Sequence, residues 1–180
     1  VFTVTGGEID LSFPSNMAMA SWVFSLLIQK GVPPVLGLIV AIGVGMGIGV
    51  IIGLIVVYGH LSSLVCTLGF NFFLRGFIMI LTEGRSITIL EIQDGLFHNV
   101  LAGTFLGLPA QMGWALLFTL ICVLVFNRHC YGIRVHCVGD NPQSAEQMGI
   151  NVNRVRISFF IFMGLGASLA GVFSVLINFS

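Results

Sequence analysis

From Val35 to Tyr58 the chain holds no Asp, Glu, Lys or Arg, and its apolar side chains leave no polar face. A helix crosses a hydrocarbon core with about 20 such residues, at about 1.5 Å of rise each. Three further stretches meet or approach that length: Leu64–Leu81, Met112–Phe126 and Val155–Phe179. Met17–Gln29 is too short alone but spans if the helix continues back through Ser12–Asn16. Lys30-Gly31-Val32-Pro33-Pro34 ends it, because proline cannot continue the backbone ladder. Membrane strands alternate apolar and polar residues, and these runs do not. Only a helix satisfies every backbone group within its own segment. The expected fold class is all-α: a polytopic transmembrane helical bundle of about five spans, with one short cytoplasmic helix.

Composition supports lipid as the solvent. The chain is 57% hydrophobic and 8% charged, with a mean hydropathy of +1.06, whereas soluble domains carry about 25% charged residues. A formal charge of zero offers no basic field for nucleic acid. The four cysteines, Cys66, Cys122, Cys130 and Cys137, are too dispersed for a disulfide scaffold. No secretory leader pattern opens the sequence. It starts at Val1 and stops inside apolar sequence at Asn178-Phe179-Ser180. The expectation is an internal piece of a longer membrane protein, with residues 1–180 forming one partial transmembrane domain.

Basic residues in short loops set orientation. Residues 127–156 hold Arg128, Arg134, Arg154 and Arg156, which places that loop in the cytoplasm. The opposite side has Lys30 and Arg85, offset by Glu83, Glu91 and Asp94. Alternation then puts residues 58–63 inside and residues 30–34 and 83–110 outside.

Gly45, Gly49 and Gly53 recur every fourth residue, so they share one helix face where another backbone can approach closely. A dinucleotide-binding glycine loop would need a preceding strand and a later acidic residue, and neither is present. Gly164, Gly166, Ala167, Ala170 and Gly171 make a second small-residue patch.

Asn71 and Arg75 sit four apart and share a helix face. A polar group at membrane depth faces the bundle interior or a wet path. Arg75 has two open readings: it snorkels to the outer interface, or it lines a pathway. Asn71 reads first as interhelical glue. In TGGEIDLSFPSN, Gly6-Gly7 and Pro14 argue against regular helix around Glu8 and Asp10. Ser12, Ser15 and Asn16 are candidate caps for a helix that begins near Pro14. This stretch is either a surface loop with solvated acids or a broken segment lining a cavity.

In the cytoplasmic loop, His129-Cys130 and His136-Cys137 invite a zinc reading, but adjacent ligands cannot readily converge on one tetrahedral ion. The stronger feature is GDNPQSAEQMGI. Asn141 precedes Pro142 and suits an N-cap, and Gly149 suits a left-handed C-cap. A two-turn helix over Pro142–Met148 follows, either a linker or a docking element.

Three stretches carry a family resemblance. GEIDLSFPS (7–15) resembles the G-[GE]-[IF]-D-L-S signature of bacterial ABC-importer permeases of the ribose and simple-sugar class. RHCYGIRVHCVGDNPQSAEQMGINVNRVR (128–156) resembles that family's cytoplasmic pattern, and TLGFNFFLRG (67–76) its T-L-G-x-x-x-x-x-R-G segment. Order and spacing agree over essentially the whole chain. Ser144, Gln147-Met148 and His136-Cys137 depart from the usual pattern.

The resemblance implies a permease subunit of the bacterial inner membrane that pairs with a cytoplasmic ATPase, a periplasmic solute-binding protein and a second permease chain. It implies that Gly139, Asn141, Pro142, Glu146, Gly149 and Ile150 couple to the ATPase. It also implies that Glu8, Asp10, Ser12, Asn71 and Arg75 border the translocation path. No G-x-x-x-x-G-K-[ST] phosphate loop is present, so ATP and magnesium are expected in the partner. No catalytic residue, metal or cofactor is assigned to this chain. The rival readings are a branched-chain amino-acid permease of the same architecture, a proton-coupled secondary transporter titrating Glu8 or Asp10, and an intramembrane enzyme. The last needs a catalytic pair within the bundle, and His60 and His98 fall in predicted loops.

Overall fold

A computed structural model of the chain describes residues 6–84, 101, 103–105 and 108–178. Arg85, Glu91, Asp94 and His98, and most of the expected outer loop over 83–110, lie outside those residues.

The helices are α1 (Phe13–Gln29), α2 (Pro34–Tyr58), α3 (Ser63–Thr82), α4 (Ala110–Arg128), α5 (Cys130–Asp140), α6 (Pro142–Gln147) and α7 (Val152–Asn178). A minimal antiparallel pair, β1 (Thr104–Phe105) with β2 (Leu108–Pro109), precedes α4, in the register Thr104 to Pro109 and Phe105 to Leu108. The architecture is the expected helical bundle. Among the described residues α2, α3, α4 and α7 are long and apolar enough to cross a membrane. α1 reaches back to Phe13 and has 17 residues, about 25 Å of helix.

The seam between α2 and α7 is the most extensive contact in the bundle. The two helices run antiparallel, with Gly45 against Gly164, Gly49 against Phe160 and Gly53 against Ile157. A Cβ on Gly45 would sit 2.8 Å from the Gly164 carbonyl oxygen, and one on Gly53 3.1 Å from the Ile157 Cα. The regular glycine spacing thus lets one backbone rest on the other. Lipid tails are as apolar as leucine, so close packing supplies the attraction that hydrophobic burial gives in water. α1 lies along α7, where Ser21 Oγ donates to the Gly171 carbonyl at 2.9 Å.

Three buried clusters follow along the bundle. Ala20, Phe24, Ile28, Ala41, Val172, Val175 and Leu176 join α1, α2 and α7. Ile48, Ile52, Val56, Cys66, Leu74 and Phe160 join α2, α3 and α7. Val135, Val138, Ala145, Val155 and Phe159 join α5, α6 and α7. α4 buries none of its side chains. It leaves an apolar cleft of about 340 Å³ against α7, lined by Trp114, Phe118, Leu169 and Phe173 among others.

Two local expectations change. The connection over 127–156 is mostly helical: α5 occupies Cys130–Asp140, where the sequence reading placed a loop around one short helix. Ser15 and Asn16 are not caps but lie inside α1. Ser12 stands at the N-cap position without capping a helix amide, because its hydroxyl donates to Asp10 Oδ1 at 2.6 Å instead.

Candidate functional site

Residues 8–12 are not helical, yet Glu8 is 2% exposed and Ser12 1%. A part-buried, irregular backbone must find hydrogen-bond partners from elsewhere in the fold. Here α3 supplies them. Ile9 N–H donates to Ser63 Oγ at 3.2 Å, and Leu11 N–H to Thr67 Oγ1 at 3.1 Å. Asn71 Nδ2 donates to the Leu11 carbonyl at 2.7 Å. Ser63, Thr67 and Asn71 recur every fourth residue, so one face of α3 serves as a polar rail for the segment. Asp10 turns back on its own chain and accepts from the Ser12 N–H at 2.8 Å as well as from the Ser12 hydroxyl. Glu8 and Ser12 are thus buried against α3 and α7, while Gly7, Ile9 and Leu11 are exposed: the stretch is an irregular segment packed on the bundle, not a loop with both acids fully solvated.

α7 holds the other side. Arg156, in its second turn, donates through Nε and pairs through Nη2 with the same Glu8 oxygen, Oε1. The Phe159 ring, one turn further on, occupies the space where a Gly6 side chain would lie. Glu8, Asp10, Ser12 and Asn71 are thus gathered in one neighbourhood. Arg75 is exposed on α3 and, among the described residues, makes no ion pair with them. Arg156 is the residue that sequence reasoning missed. It counts toward the basic bias of the 127–156 connection, and nothing local to it signals a carboxylate 148 positions away.

The second element is the turn around α6. Asn141 adopts an extended conformation, and its Oδ1 accepts from the Ser144 N–H at 3.1 Å, with Pro142 opening the helix. At the other end Gly149 has φ 78°, the left-handed value that glycine tolerates without strain. Gly149 N–H donates to the Glu146 carbonyl at 2.9 Å and Ile150 N–H to the Ala145 carbonyl at 3.1 Å. This pair of bonds is the Schellman closure. Asn151 Oδ1 then accepts from the Arg154 N–H at 3.0 Å and starts α7. Pro142 and Glu146 are exposed, while Ala145 is wholly buried against α5 and α7. Pro142, Gln143, Glu146, Gly149 and Ile150 line an open groove of about 390 Å³ on this surface.

α5 carries this turn. His129 Nδ1 accepts from the Tyr131 N–H at 3.1 Å and caps α5, and the Tyr131 hydroxyl bonds Ser158 of α7. Burial pushes the Tyr131 phenol above its ordinary value, with the Ser158 bond opposing. His136 lies against the Phe126 ring, with centroids 4.6 Å apart. His129 thus caps α5 and His136 packs on Phe126, and no cluster of metal-ligating side chains occurs among the described residues.

Residues 1–179 match the family model described as branched-chain amino acid transport system / permease component. The chain belongs to that permease family. A ribose import permease protein of Bacillus subtilis (strain 168) is 34% identical over 94% of this chain and 52% of its own length. An L-arabinose ABC transporter permease protein of Azospirillum brasilense is 28% identical over 96% and 50%. A D-allose transport system permease protein of Escherichia coli (strain K12) is 30% identical over 96% and 52%. The permease-family chain spans about half the length of the curated relatives it matches. No solved structure matches it significantly. With four helices among the described residues long and apolar enough to cross a membrane, this permease-family chain is a multi-pass protein of the bacterial inner membrane.

Proposed function

We propose that the chain forms part of the membrane-spanning subunit of an ATP-driven importer for a monosaccharide or similar small polar solute. The observation that carries this reading is the cytoplasmic turn. A capped helix exposing Pro142 and Glu146 is fixed by buried Ala145 to α5 and to the start of a membrane-crossing helix. A partner that moves α6 must then move α7. Such an element has two positions that nucleotide in the partner can bias. Gly139, Asn141, Pro142, Glu146, Gly149 and Ile150 serve as the docking surface for a cytoplasmic ATPase that holds ATP and magnesium.

Glu8, Asp10, Ser12 and Asn71 border the route of the solute, with Arg75 nearer its outer end. The solute arrives from a periplasmic binding protein, and a second permease chain completes the pathway. The relatives named for ribose, L-arabinose and D-allose favour a sugar over a branched-chain amino acid. A proton-coupled carrier fits less well, since Glu8 is engaged by Arg156 and Asp10 by Ser12.

The test uses the full-length protein in proteoliposomes with its ATPase and binding protein, offered radiolabelled D-ribose, L-arabinose and D-allose. ATP-dependent accumulation of one sugar, abolished by removing residues 142–148, supports the reading. Uptake driven by a proton gradient without ATP contradicts it.

A further inference from the structure

The same two turns of α7 touch two things at once. Toward the cytoplasm, Val155 and Phe159 are buried with Val135, Val138 and Ala145 of the α5–α6 unit. Toward the bundle interior, Arg156 pairs with Glu8 and Phe159 covers Gly6. Residues between Val155 and Phe159 are therefore held on one side by the cytoplasmic unit and hold the interior segment on the other. The segment in turn hangs on α3 through Ser63, Thr67 and Asn71.

Burial makes this linkage two-state. Glu8 has 3% side-chain exposure and Arg156 37%, so the arginine reaches water while the carboxylate does not. A carboxylate taken from water is costly unless it is paired. If α7 shifts and separates the two groups, Glu8 must gain water, through the gap that Arg156 leaves and past a loosened segment of residues 6–12. Intermediate positions, with the charge dry and unpaired, are the least stable.

We propose that Arg156 is a positioning residue for transport, and that its pair with Glu8 is the latch through which the α5–α6 unit holds residues 6–12 shut toward the cytoplasm. This rests on the importer reading above. The latch is made in the state described here and breaks when the partner ATPase draws α6 and α7 away.

The experiment uses the full-length protein with its ATPase in nanodiscs. Cys66, Cys122, Cys130 and Cys137 are replaced by serine, and Ser12→Cys is the reporter for a charged maleimide. Ser12 is 1% exposed, so the reporter starts protected. The latch predicts slow labelling in the parent and labelling faster by about tenfold in Arg156→Gln. It predicts a return toward the parent rate in the charge reversal Glu8→Arg with Arg156→Glu. ATP with vanadate should change the parent rate and leave that of Arg156→Gln largely unmoved. A second reporter, Ser168→Cys, lies in the wholly buried α2–α7 seam and should stay unlabelled throughout. Equal Ser12→Cys labelling with and without Arg156, while the complex still hydrolyses ATP, overturns the latch and leaves the importer reading intact. Labelling at both reporters assigns the pair to fold maintenance and also overturns it. A complex that neither binds nor hydrolyses ATP contradicts the importer reading itself.

Discussion

Gly49 of α2 lies directly against the Phe160 carbonyl of α7, with no room for a methyl group between them. Gly49→Ala forces the two helices apart, and overpacking of this kind costs about 1–3 kcal/mol. Gly43 and Gly47 on the same helix face open space, with no other helix against them. Alanine at either is expected to be neutral or to stabilise by up to about 1 kcal/mol through helix propensity. Thermal unfolding in one detergent, monitored for all three variants, separates the seam glycines from the rest.

Thr67 is the polar anchor of the interior segment. Its hydroxyl accepts from the Leu11 N–H and donates to the Ser63 carbonyl at 2.7 Å. Thr67→Val keeps the volume but leaves the part-buried Leu11 amide without its side-chain partner, at about 1 kcal/mol. Thr67→Ser retains the bonds and should recover most of the loss. Melting temperature and uptake, measured together, are expected to fall in the valine variant and return in the serine variant.

The turn at α6 separates capping from docking. Asn141→Ala removes the side-chain cap of Ser144 N–H and costs about 1 kcal/mol of local stability, whereas Asn141→Asp preserves an acceptor. Glu146 is exposed, so Glu146→Lys should leave stability within about 0.5 kcal/mol of the parent, read as a melting temperature almost unchanged. The same charge reversal is expected to reduce ATPase co-purification severalfold. Co-purification unchanged by Glu146→Lys would count against the docking role.

These elements were unequally legible in the sequence. The spans read clearly because an uncharged apolar run has few alternatives, and α2 and α3 end within a residue or two of expectation. α6 was legible because Asn141-Pro142 and Gly149 are local signals with fixed backbone consequences. α5 was hidden by poor helix formers: Gly132, Ile133, Val135 and Val138. Gly132, Val135 and Val138 are the buried face of α5, so a three-residue period was present but short. The burial of Glu8 was legible only as one of two open readings of its stretch. It depends on Ser63, Thr67, Asn71 and Arg156, whose positions relative to residues 8–12 are set by tertiary packing between distant helices.

The central claim is that α6 is a cytoplasmic lever gripped by an ATPase. Labelling of Glu146→Cys with a membrane-impermeant maleimide tests it most directly, in oriented vesicles with the four native cysteines replaced. The account predicts reaction from the cytoplasmic face alone, slowed about tenfold or more when the ATPase is bound, as burial in a docked interface requires. Reaction from the external face, or a rate indifferent to the ATPase, would contradict it.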